Sequence, residues 1–298
     1  MPELIADVCP NGMTARSYVQ LLKLRIGAMV ALMAIMGYVA VADRINPLQV
    51  AVLALAMLLG SASSSVFNHF YDRDIDRLML RTRQRPLASG QLLRPARVLW
   101  LAAGLLVAGC GLAAAYFNLV VALHLFLGAF FYAVVYTVWL KRRTWLNIVI
   151  GGAAGSFAVL AGGAAVDPGR WLLPFLLSIT LFLWTPSHFW SLAILLKEDY
   201  ASAGVPMLPV VKGDRATAHI ILGNSALLVA SSLLPLFFGK MGWIYGIGAA
   251  LLGAHFLWSN WRLARAPGKL LARRNFFESM VYLVGLFVAV LIDVNLPI

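Results

Sequence analysis

Long apolar runs broken by short polar stretches repeat along this chain, near 20–41, 48–70, 97–116, 119–139, 145–165, 171–194, 217–238, 241–260 and 277–295. A helix needs about 20 apolar residues to cross a hydrocarbon core. The runs lack period-2 alternation, and backbone groups in lipid must be satisfied within the segment, so helices rather than strands are predicted. The pattern therefore predicts an all-α membrane protein with about nine transmembrane helices. Residues 1–17 precede the first run and read as a short mobile arm; 18–298 read as a single transmembrane domain. The arm has no basic stretch followed by an apolar core, so no cleavable signal peptide is expected.

Composition agrees. Of the 298 residues 61% are hydrophobic and only 12% charged, against about 25% charged in a soluble domain. Charge then orients the helices. With the N-terminus in the cytoplasm, 21 of the 24 Lys and Arg residues fall in cytoplasmic segments, and only Arg44, Arg170 and Lys240 fall outside. That asymmetry is the positive-inside pattern, and an odd number of helices puts the C-terminus outside. It also accounts for the net charge of +12 without nucleic acid, leaving anionic lipid headgroups and an anionic substrate as partners. The cytoplasmic loops are the longer ones and hold most of the polar chemistry, so a central cavity opening to the cytoplasm is expected. Cys9 and Cys110 form neither a disulfide framework nor a metal motif. The small-residue stretches 151–155 and 161–165 fit close helix packing.

The polar chemistry concentrates first where the second run ends. Three of the 12 acidic residues, Asp72, Asp74 and Asp76, fall within five positions. Asn68, Asp72 and Asp76 are spaced i, i+4, i+8, one stripe on a continuing helix, with Asp74 pointing elsewhere. Such oxygen donors suit Mg²⁺, which takes a few carboxylates and fills its shell with water and phosphate oxygens. The bland alternative is a solvated loop of paired charges. An EF-hand fails, because Arg77 and Arg83 stand where the loop needs Gly and Glu. Arg81 and Arg85 follow, suited to bidentate recognition of phosphate or carboxylate. Metal-binding acids beside phosphate-binding arginines argue for a lipid diphosphate at a membrane surface.

Further cytoplasmic clusters repeat the theme, with Tyr136, Thr137, Lys141, Arg142, Thr144 and Asn147 at the end of the fourth run and Lys197, Glu198, Asp199 and Tyr200 after the sixth. Two similar halves would place the loops after runs two and six around one cavity. Within the sixth run, Pro186 predicts a kink. His188, an ionisable group in or near the membrane, reads either as a ligand for metal, porphyrin iron or an acceptor carboxylate, or as a helix–helix hydrogen bond.

Taken together, five segments resemble the UbiA-type intramembrane prenyltransferases, and among them the haem O synthase branch. They are Asn68-x-x-x-Asp72-x-Asp74-x-Asp76; Met79-x-Arg81-Thr82-x-x-Arg85-Pro86-Leu87; Lys141-Arg142-x-Thr144-x-x-Asn147 with the following Ile148 to Gly152; Trp184-Thr185-Pro186-x-His188-Phe189-Trp190; and Asp199-Tyr200-x-x-Ala203-Gly204-Val205-Pro206-Met207-Leu208-Pro209. The resemblance implies transfer of the farnesyl group of farnesyl diphosphate to a vinyl group of haem b, with Mg²⁺ as cofactor, in a bacterial inner membrane. The product would feed haem–copper terminal oxidases, making haem-biosynthesis and oxidase-assembly proteins possible neighbours. On this reading Asn68, Asp72, Asp76 and Asp199 hold the metal, and Arg81, Arg85, Lys141, Arg142, Asn147, His188, Lys197 and Tyr200 contact substrate. The sequence departs from the pattern where Ala203 replaces a second acidic ligand, where residues 155–160 lack prolines, and at Ser187, where a second proline is common. A quinone-precursor acceptor is the alternative within the same chemistry. A cation-coupled transporter is disfavoured, because transporters bind near the midplane and the acids here lie at helix ends.

Overall fold

The computed structural model describes residues 15–90 and 96–296. Most of the predicted arm, 1–17, lies outside them; residues 15–17 open the first helix. The regular elements among the described residues are all helices, with no strand. The helices are α1 (Ala15–Leu22), α2 (Leu24–Val39), α3 (Pro47–Tyr71), α4 (Arg73–Leu78), α5 (Arg97–Tyr116), α6 (Leu119–Phe130), α7 (Asn147–Gly151), α8 (Ala153–Val166), α9 (Leu172–Leu195), α10 (Lys197–Ser202), α11 (Leu208–Phe237), α12 (Trp243–Arg265) and α13 (Lys269–Asn295). A ten-residue π-helix, π1 (Phe131–Leu140), continues α6 without a break. Paired as α1–α2, α6–π1 and α7–α8, they make nine long helical units, matching the apolar runs. Eight are long and apolar enough to cross a membrane. The ninth is α12, along which His255, Ser259, Asn260 and Arg262 are strung.

Local signals set the helix starts. Asn46 caps α3, its side chain accepting from the amides of Leu48 and Gln49, and Pro47 occupies the first turn, where no N–H is needed. Asn118 caps α6 in the same manner, accepting from Val121. The structure lengthens two predicted helices. α11 begins at Leu208 rather than near 217, with non-helical backbone at Gly213. α13 begins at Lys269 rather than near 277. In both cases a charged or kinked first turn hides from an apolar-run reading.

α2, α3, α5, α6 and α8 pack as one group and α9, α11, α12 and α13 as another, joined where α8 meets α9 and α2 meets α13. The α2–α8 crossing is the closest approach. A Cβ on Gly37 would lie 2.0 Å from the Val159 carbonyl oxygen, and one on Gly162 would lie 1.8 Å from that of Ala34. Backbones meet there because neither helix carries a side chain at the contact. Ser187, where the family pattern often has proline, is buried between α9 and α11; its Oγ accepts from Asn224 Nδ2 at 2.7 Å and Ser225 Oγ at 2.8 Å. Large apolar side chains such as Trp100, Val107, Leu119, Trp243 and Leu251 point outward and are exposed, as a lipid-facing surface requires.

Candidate active site

α3 ends at Asp72, which caps it, and α4 starts one residue later, so the chain continues in nearly helical register past the end of the span. The stripe predicted for Asn68, Asp72 and Asp76 therefore forms, and all three are buried. Ile75 and Met79 hold α4 down by packing into a cluster with Trp190, Ile194, Tyr200 and Met207. Thr82 Oγ1 donates to the Asp76 carbonyl at 2.9 Å, fastening the following loop beneath the acids.

Each donor of the stripe meets a different cation. Lys23 Nζ donates to Asn68 Oδ1 at 2.7 Å. Lys141 Nζ is ion-paired with Asp72 Oδ2, and Arg142 lies 3.6 Å from Asp72 Oδ1. Arg85 is paired with Asp76 at 2.8 Å. Asn68 Nδ2 also donates to Asp72 Oδ2 at 2.6 Å and to Thr137 Oγ1 at 3.1 Å. Asp72 Oδ1 is buried without a hydrogen-bond partner, an orphaned carboxylate oxygen of the kind that marks a ligand position. Asn147 is fully buried below Lys141, its Nδ2 donating to the Lys141 carbonyl at 3.3 Å.

Asp74 behaves as its off-stripe position predicts. It is 60% exposed and takes both terminal nitrogens of Arg142 at 2.7 Å. That hydrogen bonding holds its carboxyl below the usual range, so the pair's contribution is complete at neutral pH and fades as pH falls through the carboxyl's folded value. Asp74→Ala removes only this exposed pair; transfer rates should fall less than about tenfold, far less than for Asp72 or Asp76 variants in the same membranes.

The loops after α4 and α9 do meet. The Leu80 amide donates to Asp199 Oδ1 at 3.2 Å, and Ser202 Oγ donates to the Leu78 carbonyl at 3.2 Å. Tyr200 is buried beside this junction; burial pushes its phenol up, against the opposing charges of Arg81 and Arg85, so it stays a neutral O–H donor. Asp199 itself is not gathered into the stripe. Among the described residues no three acidic, His or Cys groups form a metal cluster. The predicted four-ligand set is thus not preassembled, because Asp199 is engaged by Leu80 while Asp72 and Asp76 are held by Lys141 and Arg85.

Two of the predicted substrate contacts have protein partners in this structure. Lys197 pairs with Asp214 at 2.9 Å. His188 is stacked between Trp184 and Phe276, with ring centroids 4.2 and 4.3 Å away, and its Nδ1 lies 2.7 Å from Ser279 Oγ on α13. It makes the helix–helix contact that was the second reading of this residue.

A cavity of about 300 Å³ lies in the bundle between α2, α3, α6, α8 and α9. Met57, Ser61, Ser64 and Ser65 line it along α3, Tyr132 and Tyr136 along π1, and Thr185 and Phe189 along α9. Its walls are mainly apolar, and Lys23 links it to the stripe, reaching both Asn68 and, at 3.4 Å, the hydroxyl of the lining residue Tyr132. The π-winding contributes directly. Lys141 N donates to the Tyr136 carbonyl, five residues back, at 2.8 Å, and Thr137 Oγ1 donates to the Tyr132 carbonyl at 2.8 Å. π-segments often occur at functional sites; this one presents two tyrosines, a threonine and a lysine to the cavity and its mouth. Lys23, Tyr132, Tyr136 and Thr137 are absent from the sequence-derived set. Tyr136 and Thr137 open the polar cluster at the end of the fourth run without a role of their own; Tyr132 carries no motif, and a lysine several residues inside an apolar run, like Lys23, is a signal in itself.

The sequence pattern of the UbiA prenyltransferase family matches residues 28–287. The chain belongs to that family. The UbiA chain is 59% identical over 281 residues to protoheme IX farnesyltransferase 1 of Paramagnetospirillum magneticum, covering 94% of this chain and 99% of that one. It is 53% identical to protoheme IX farnesyltransferase 2 of the same organism, over 91% and 94% of the two chains. Against protoheme IX farnesyltransferase of Alkalilimnicola ehrlichii it is 43% identical, over 95% and 94%. Solved structures share the fold. A digeranylgeranylglyceryl phosphate synthase superposes with TM-score 0.78 at 21% identity, over 94% of this chain and 98% of that one. A UbiA homologue of Archaeoglobus fulgidus bound to DMAPP and Mg²⁺ superposes with TM-score 0.71 at 19% identity, over 92% and 99%. The cavity and its carboxylate-and-cation mouth are therefore built on a UbiA frame.

Proposed function

We propose that this UbiA enzyme transfers the farnesyl group of farnesyl diphosphate to a vinyl carbon of haem b, releasing diphosphate and, after water adds, giving haem O. The full-length similarity to protoheme IX farnesyltransferases supports the acceptor. The observation that carries the chemistry is the buried Asn68–Asp72–Asp76 stripe, ringed by Lys23, Arg85, Lys141 and Arg142 and linked through Lys23 and Tyr132 to an apolar cavity.

Mg²⁺ fits these residues. It commonly binds through one or two carboxylates and substrate phosphates rather than a dedicated protein cage; the orphaned Asp72 oxygen, Asp76 and the Asn68 amide oxygen supply that donor chemistry, with Asp199 across the mouth. When bound, the metal offsets diphosphate charge and improves it as a leaving group. Arg81, Arg85, Lys141 and Arg142 then meet the remaining negative charge as the C–O bond breaks. The farnesyl chain takes the apolar cavity, whose aromatic and aliphatic walls keep water from the allylic cation until the vinyl carbon attacks. Asn147 keeps Lys141 in place through the Lys141 carbonyl. The charged mouth opens to the cytoplasm in an inner membrane on this reading, in line with the distribution of Lys and Arg.

The purified protein, given farnesyl diphosphate, should release diphosphate only when haem b is added. Release should stop on chelation with EDTA and return with Mg²⁺. Release that is indifferent to both haem b and chelation would refute the proposal.

A further inference from the structure

Lys23 is the one residue other than glycine with positive φ among the described residues, at φ 47 and ψ 50. This left-handed conformation breaks the first span into α1 and α2 and is unfavourable for a side-chain-bearing residue. Glycine or asparagine would occupy it more cheaply, yet a lysine is there. Strain of this kind persists where the surroundings enforce it and clusters at functional sites. The break delivers the Lys23 ammonium to the inner end of the metal stripe, where it meets Asn68 Oδ1 at 2.7 Å and Tyr132 Oη at 3.4 Å.

The Asn68 amide is oriented without ambiguity. Lys23 is a pure donor and ionised Asp72 a pure acceptor, so the amide oxygen must face Lys23 and the NH₂ must face Asp72, as found. The oxygen is the only atom through which Asn68 can ligate a hard cation. It is consumed by Lys23, just as Lys141 takes Asp72 and Arg85 takes Asp76. Every donor of the stripe thus carries its own cation.

We propose that Lys23 is an exchanging cation of the donor site: it caps Asn68 Oδ1 in the free protein and transfers to a diphosphate oxygen when a divalent cation takes Asn68. This rests on the metal-site reading above and goes beyond it by giving Lys23 a role and the site a loading rule. A divalent cation alone meets donors already neutralised by ammonium and guanidinium groups. Diphosphate alone meets cations already neutralised by carboxylates. Together each frees the partners the other needs, so binding is cooperative, and by linkage the coupling is reciprocal. The long flexible lysine stem allows the short transfer from amide to phosphate.

The test is direct binding to the purified full chain, with Mn²⁺ as the metal probe and inorganic diphosphate as the anion. Wild type should bind Mn²⁺ at least about tenfold more tightly when diphosphate is present. Two variants remove the ammonium: Lys23→Met keeps the stem, and Lys23→Gly suits the left-handed backbone and so guards against misfolding. Both should bind Mn²⁺ alone several-fold more tightly, with Asn68 uncapped and one positive charge gone. Both should bind diphosphate in the presence of Mn²⁺ about tenfold or more weakly, the loss of one charge-assisted hydrogen bond. Opposite shifts for the two ligands are what a purely structural lysine would not give. If both affinities fall together, or neither moves, the role of Lys23 is refuted while the metal site stands. If Asp72→Asn binds Mn²⁺ as well as wild type does, the metal-site reading itself fails, and this inference with it.

Discussion

Asp72→Asn should lower farnesyl transfer by about 10³-fold or more. Asp72 is fully buried and touches most of the mouth: Lys141 and Asn68 on one oxygen, the Arg142 side on the other. The substitution keeps shape and removes the charge that holds Lys141 and that the proposed metal site requires. It also leaves the Lys141 ammonium buried and uncompensated, at a cost of about 3–5 kcal/mol. The two losses can be separated. In Asp72→Asn/Lys141→Met the buried charge is gone too, so thermal stability should recover by several degrees while activity stays lost. Measuring the melting temperature and the rate of haem O formation on both variants checks this; recovery of activity in the double variant would show that Asp72 serves only to neutralise Lys141.

The second large effect is mechanical. Gly162→Val should prevent stable assembly of the bundle. Even the first carbon of a side chain would sit 1.8 Å from the Ala34 carbonyl oxygen and 2.8 Å from the Tyr38 nitrogen. Those are backbone atoms of α2, so no rotamer change relieves the clash. Overpacking a core commonly costs 1–3 kcal/mol where side chains can shift; here α2 would have to separate from α8, and a cost above about 3 kcal/mol is expected. Yield of monodisperse protein in detergent, compared with Gly104→Val, tests it. A Cβ at Gly104 meets nothing within 4 Å, so that variant should be recovered at wild-type yield.

The frame of this protein was legible because lipid imposes a coarse rule. Segments must be apolar, helical and about 20 residues long, so the runs mapped onto the helices almost one for one, and the bounds differ most where α11 and α13 begin in charged turns. The stripe was legible for a similar reason: Asn68, Asp72 and Asp76 lie on one continuous helical path, and helical spacing is a local property. Lys141 and Arg85 came from motifs. What escaped depended on contacts between distant segments. Lys23 read as a topological charge, because nothing in the sequence announces the left-handed break that turns it toward Asn68. The π-winding from Phe131 to Leu140 is invisible in an apolar run, yet it brings Tyr132 and Tyr136 to the cavity and Thr137 to Asn68. His188 and Lys197 have the chemistry of ligands, but α13 supplies Ser279 to the first and α11 supplies Asp214 to the second. Their partners are 91 and 17 residues away in the chain, beyond what spacing alone conveys.

The acceptor of the prenyl group defines the reaction. Purified protein with farnesyl diphosphate and Mg²⁺ should be offered haem b and 4-hydroxybenzoate together, and the products identified by mass. The expected result is a haem that has gained one farnesyl group and one hydroxyl, formed in wild type and absent in Asp72→Asn, with 4-hydroxybenzoate recovered unchanged. Farnesylated 4-hydroxybenzoate with unmodified haem b would contradict it.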